Sequence, residues 1–141
     1  AAIANLTSLL PTGNRADDGR LRRAIAAVQS ALAANLWVDN AHLSSRGERV
    51  FTALSDALDE LQRVRTRQDD AAVVGDALTG IARAVAEIAI VDGETAGGRP
   101  RDMDRARDAL ERGDDHTDAA RGRNAIDFYR QAWSLALKSV R

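Results

Sequence analysis

The sequence predicts an all-α protein, a single compact bundle of about six helices spanning residues 1–141. Three observations carry that expectation. Apolar residues recur at helical spacing almost without a break between the only two prolines, Pro11 and Pro100, which leaves strands nowhere to go. Hydrophobic residues make up 45% of the chain, but 28 of these are alanine and only five are aromatic, a composition suited to close helix contacts. The length of 141 residues is enough to bury such a core without a staple, and with no cysteine the chain has neither disulfides nor a thiolate metal site.

Each element follows from its pattern. Ile3, Leu6, Leu9 and Leu10 suit a short first helix that ends before Pro11, Thr12, Gly13 and Asn14. Asp17 or Asp18 is suited to cap a second helix, in which Leu21, Ile25, Val28 and Leu32 fall at i, i+4, i+7 and i+11. From Leu36 to Ser45 the period is lost, and the stretch reads as a structured loop ending in serines suited to capping. A third helix carries Val50, Phe51, Leu54, Leu58, Leu61 and Val64, and Asp69 and Asp70 can cap the fourth.

The fourth helix, about residues 70–96, is the least polar, with only Arg83 and Glu87 charged between Ile81 and Val91. That is the pattern of a central helix surrounded on most sides, its one polar stripe reaching solvent or forming a pair. Gly97 and Gly98 stop it, and Pro100 sits where a first-turn proline is tolerated. A fifth helix runs through Gly113 to about 121, Gly122 supplies a turn, and a last helix bears Ile126, Tyr129, Trp133, Leu137 and Val140. The last two helices are expected to form an antiparallel hairpin.

Charge narrows the partners. Twenty basic and 21 acidic residues give a net charge of −1, which does not suggest nucleic acid or an anionic membrane. No apolar run approaches the length of a membrane span, and the first residues show neither the basic nor the apolar region of a signal peptide. Nineteen of the basic residues are arginine, which favours fixed, multidentate ion pairs.

Two clusters are candidates for metal chemistry. Asp39 and His42, three residues apart in the loop, could share a divalent ion, although two ligands do not make a site and the bland alternative is backbone capping. Asp114, Asp115, His116 and Asp118 are oxygen-rich enough for weak Ca²⁺ or Zn²⁺ binding, but on a helix they point in several directions and lack the order of an EF-hand loop. The i,i+4 spacing of Arg107 and Glu111 reads as one of the modest surface pairs decorating the fifth helix. With no GxSxG elbow, phosphate-binding glycine loop or HExxH helix present, no catalytic residue and no cofactor is assigned. Trp37 and Trp133 read first as core anchors. Trp37, with Val38, His42 and Leu43, is the alternative interaction surface.

Two resemblances add to this reading. Gly122 followed by Asn124, Ala125, Ile126, Asp127, Phe128, Tyr129, Arg130, Gln131, Ala132 and Trp133 resembles the second helix of a tetratricopeptide repeat, and covers half of one repeat. The ordered series Leu36 to Leu43, Gly47, Val50-Phe51, Ala86 to Ile90, Gly97-Gly98 and Tyr129 to Trp133 is similar to a helical module in the C-terminal parts of secreted bacterial proteins. That similarity implies an export context and an accessory role, and brings no catalytic residues. The chain begins at Ala1 and its only methionine is Met103, so it is expected to be a fragment or processed part of a larger secreted protein. The expected function is a non-catalytic extracellular module for protein interaction or self-assembly. A divalent-ion-binding domain is the alternative, and a helical enzyme or ligand carrier comes third.

Overall fold

Six α-helices form in a computed structural model that describes residues 1–141: α1 Ala2–Ser8, α2 Arg15–Ala31, α3 Glu48–Gln62, α4 Gln68–Thr95, α5 Pro100–Asp118 and α6 Gly122–Ser139. A single 3₁₀ turn, Ala34–Leu36, interrupts the long connection between α2 and α3. No helix is long and apolar enough to cross a membrane.

The start of α2 corrects one expectation. Its cap is Asn14, whose side chain accepts the backbone N–H groups of Ala16 and Asp17 at 3.0 and 3.2 Å. Asp18 instead accepts the N–H and hydroxyl of Thr12, which ties down the turn after Pro11. Asp17 points into the protein, fully buried, and accepts the backbone N–H groups of Arg65 and Thr66 and the Thr66 hydroxyl. It therefore pins the α3–α4 connection to α2. The core face of α2 runs through Leu21, Ala24, Val28 and Ala31, whereas Leu32 lies at the helix end and is exposed.

The other helix ends also differ in detail. Asp69 and Asp70 lie in the first turn of α4, where they complement the helix dipole, but neither caps it, and the cap position is held by Arg67 in the left-handed conformation. Ser44 accepts the N–H of Arg46 just ahead of α3, while the cap of that helix is Gly47.

Gly97 takes a left-handed φ of 74° after α4, and the Gly98 N–H donates to the Gly93 carbonyl, as the two glycines predict. The same closure ends α5, with Arg121 N–H donating to the His116 carbonyl, but there the left-handed residue is Ala120. Gly122 is thus the first residue of α6 and not the turn. A Cβ there would lie 2.6 Å from a Leu58 methyl, so close approach to α3 accounts for it.

Helices α5 and α6 make the most extensive pairing in the protein, the expected C-terminal hairpin. Gly113 lets them close, because a side chain there would run into the Tyr129 ring. Gly113→Ala is expected to lower stability by about 1–3 kcal/mol through overpacking, against a helix-propensity gain of about 0.5–1 kcal/mol. Thermal unfolding of the variant checks the sign, and an unchanged or raised melting temperature would refute it.

Helix α4 touches α1, α3, α5 and α6, so it is central as predicted. Its inward face buries Ala71, Val74, Leu78, Ala82, Ala86 and Ile90. Its low polarity has a second cause that the sequence reading did not anticipate. Val73, Ile81 and Val91 are 67%, 41% and 53% exposed, so one long face of the helix is apolar and bare.

Candidate functional site

The loop after α2 is built by local bonds. Trp37 and Leu43 form a single antiparallel bridge, with the Val38 N–H donating to the His42 carbonyl at 2.8 Å. Within this bend, Asp39 accepts the backbone N–H groups of Ala41 and His42 at 2.8 and 2.9 Å, the capping role foreseen for it. The Trp37 indole N–H donates to the Ala31 carbonyl at 2.7 Å, and the ring is half-buried. Leu43 is buried. Of the four residues expected to form an interaction surface, Val38 and His42 are thus exposed and Trp37 only partly so.

His42 connects the loop to α4. Its Nδ1 lies 2.8 Å from Asp39 and its Nε2 lies 2.8 Å from Asp92, a residue the sequence reading did not single out. Both ring nitrogens face carboxylates, and only the protonated ring donates to both. The hydrogen bond that His42 donates to Asp39 raises its pKa above the ordinary 6.5, and the charges of Asp39 and Asp92 add to it against partial burial. Asp39 is lowered in turn, chiefly by the Ala41 N–H and by His42.

The sign of the pH effect follows. A raised folded-state pKa gives a contribution that is complete below pH 6.5 and fades as the pH rises through the folded value. An NMR titration is expected to place His42 above 6.5, with Asp39→Asn lowering it more than Asp92→Asn. The stability gap between the parent chain and Asp92→Asn should shrink as pH rises. A His42 that titrates at or below 6.5 would contradict this reading.

Beneath the loop lies an apolar pocket of about 190 Å³, walled by Leu43, Val85, Ile88, Trp133 and Leu137, with His42 and Asp92 among its few polar neighbours. Both polar groups are engaged with each other. The pocket therefore offers shape and apolar surface, with no unpaired acid, base or nucleophile aimed into it.

The metal candidates are not brought together. Asp39 and Asp92 sit on opposite edges of the His42 ring, so their oxygens and an imidazole nitrogen do not converge. In the second cluster, Asp114 receives a two-pronged contact from Arg83 at 2.8 and 3.0 Å and the Tyr129 hydroxyl at 2.7 Å. Burial works against its charge, but Arg83 and Tyr129 hold its pKa below the ordinary value, and Tyr129 is pushed up to about 12, first by burial. His116 stacks on Phe128 with ring centres 5.1 Å apart, while Asp115 and Asp118 face solvent. No group of three or more His, Asp or Glu side chains shares a point that an ion could occupy.

What remains open is the bare face of α4. Ala77, Ile81, Ala84, Ile88 and Val91 follow one another at steps of four, three, four and three, the spacing of a helix seam, with Val73 one turn before them and only Ile88 half-buried. Ile88 also walls the pocket, so the ridge and the loop surface are continuous. Arg83 and Glu87, on the adjacent stripe, pair at 2.8 Å as their spacing predicts, and Arg83 reaches on to Asp114. On α5, Arg107 pairs with Glu94 and Asp104 and not with Glu111.

No protein-family model matches the chain, and neither a curated protein nor a solved structure does so.

Proposed function

We propose that this chain is a non-catalytic extracellular module for protein interaction or assembly, and that its contact surface is the exposed face of α4 together with the adjoining loop around Val38 and His42. The observation that carries this reading is the ridge from Val73 to Val91. Val73, Ile81 and Val91 are exposed along it with only small residues and the half-buried Ile88 between them, a stripe on which a partner would meet no charged side chain. The polar clusters support it, because Asp39, His42 and Asp92 on one side and Arg83, Asp114 and Tyr129 on the other are consumed in holding the loop and helices in place. The extracellular setting rests on the resemblance to modules of secreted bacterial proteins.

The test is a photo-crosslinking residue placed at Val73 or Val91 and, as a control, at the exposed Arg49 of α3, with the protein mixed with its native extracellular fraction. Crosslinks to a protein from the α4 positions and not from Arg49 support the proposal. Strictly monomeric protein without crosslinks at any position would overturn it.

A further inference from the structure

On the reading of α4 as a contact surface, we infer that its exposed ridge seats a basic amphipathic helix from another protein, with that helix's apolar face on the ridge and its Lys or Arg residues over the flanks. Two independent observations lead there: the charge around the ridge and the space left at its centre.

Helix α4 carries Asp69, Asp70, Asp76, Glu87, Asp92 and Glu94 against a single basic residue, Arg83. The chain as a whole is at −1, so the rest of it is net basic and this helix is where negative charge is concentrated. Arg83 is already spent on Asp114 and Glu87. Asp76 has no ion-pair partner at all, and neither has Asp69. The bank formed by α5 continues the sign. Its two contacts with α4, Arg107 to Glu94 and Asp114 to Arg83, each pair opposite charges, but helical spacing puts Glu111 and Asp118, neither of them in an ion pair, on the same line. On the other bank the loop sets His42 between Asp39 and Asp92, one cation against two carboxylates. A second copy laid on this face would bring acid against acid, so charge selects a partner of opposite sign.

Gly80 supplies the second observation. It sits in the middle of α4 with ordinary helical backbone, where glycine lowers helix stability relative to alanine. Gly113 and Gly122 are explained by the side chains pressed against them, but a Cβ at Gly80 would meet nothing within 4 Å. Nothing inside the protein needs this glycine. Between the exposed Ala77 and Ala84 it leaves a shallow saddle beside Ile81, into which a neighbouring helix can lower a side chain. From Val73 to Val91 the ridge measures about 27 Å at 1.5 Å per residue, room for roughly three heptads of a partner.

The experiment uses the full chain and two synthetic helices of about 21 residues with the same Leu and Ala seam, one flanked by Lys and the other by Glu. Titration by calorimetry at low and moderate salt is expected to show the Lys peptide binding at least about tenfold tighter than the Glu peptide, with affinity falling as salt rises. Ile81→Glu, at an exposed position, should leave the melting temperature nearly unchanged and abolish binding. Gly80→Ala is the discriminating variant: its melting temperature should rise while its affinity for the Lys peptide drops about tenfold, a pairing that a merely structural role would not produce.

Equal binding of both peptides, or of neither, would overturn the inference. Preferential binding of the Glu peptide, or self-association lost in Ile81→Glu, would also overturn the partner's charge while leaving α4 as a contact surface. Absence of crosslinks from Val73 and Val91 is the separate result that removes that surface itself.

Discussion

Asp17→Ala is expected to lower the melting temperature by about 10 °C. The carboxylate is fully buried, and it accepts the Arg65 and Thr66 N–H groups and the Thr66 hydroxyl, with Arg20 at 2.9 Å. Removing it strands two backbone donors inside the protein, and an unsatisfied buried donor costs more than an ordinary hydrogen bond contributes. Asp17→Asn keeps the volume and one acceptor oxygen, so its effect should be intermediate.

Acid should mimic the substitution. The bonds from Thr66 hold the Asp17 pKa well below its ordinary 3.8, with those from Arg65 and Arg20 assisting against burial. A depressed folded-state pKa means the contribution is complete above 3.8 and is lost as the pH falls toward the folded value. The gap in melting temperature between parent and Asp17→Ala should therefore be full at pH 7 and narrower at pH 3. A gap that stayed constant or widened in acid would refute this account.

Asp17 also shows where reading the sequence stops. An aspartate at a helix start reads as a cap because capping is decided by neighbours two or three residues away. Its real partners are 48 and 49 residues distant, and no local pattern announces them. The loop divides in the same way. Asp39 and His42 were legible as a pair because one bend holds both, whereas Asp92 lies 50 residues from His42 and became visible only once α4 was packed beside the loop.

The fold class was legible because helical periodicity repeats in every turn and the breaks at Pro11, Gly97-Gly98 and Pro100 are chemically marked. The bare ridge was not. Val73, Ile81 and Val91 alternate with buried Val74, Ala82 and Ile90, and apolar residues all around a helix look the same whether a neighbour covers them or nothing does.

Trp133→Ala is the second large effect, an expected loss of about 3–5 kcal/mol. The indole is almost completely buried, lies 5.7 Å from the Phe51 ring between centroids, and packs so near Gly47 that a Cβ there would be 2.8 Å from it. It also walls the 190 Å³ pocket under the loop. Deleting it would merge its own space with that pocket, so the neighbours have an existing void on one side and little to collapse onto. Trp133→Phe keeps a ring against Phe51 and should cost less.

Because the chain has only two tryptophans, Trp133→Ala leaves Trp37 as the sole indole reporter. Trp37 is held from the other side by its bond to Ala31. If the loop depends on the wall that Trp133 provides, Trp37 emission in the folded variant will shift to the red. If the Ala31 bond and the His42 clasp suffice, the emission will stay in place while denaturant unfolding still shows the loss. An unfolding free energy within about 1 kcal/mol of the parent's would contradict the packing argument itself, whichever way Trp37 responds.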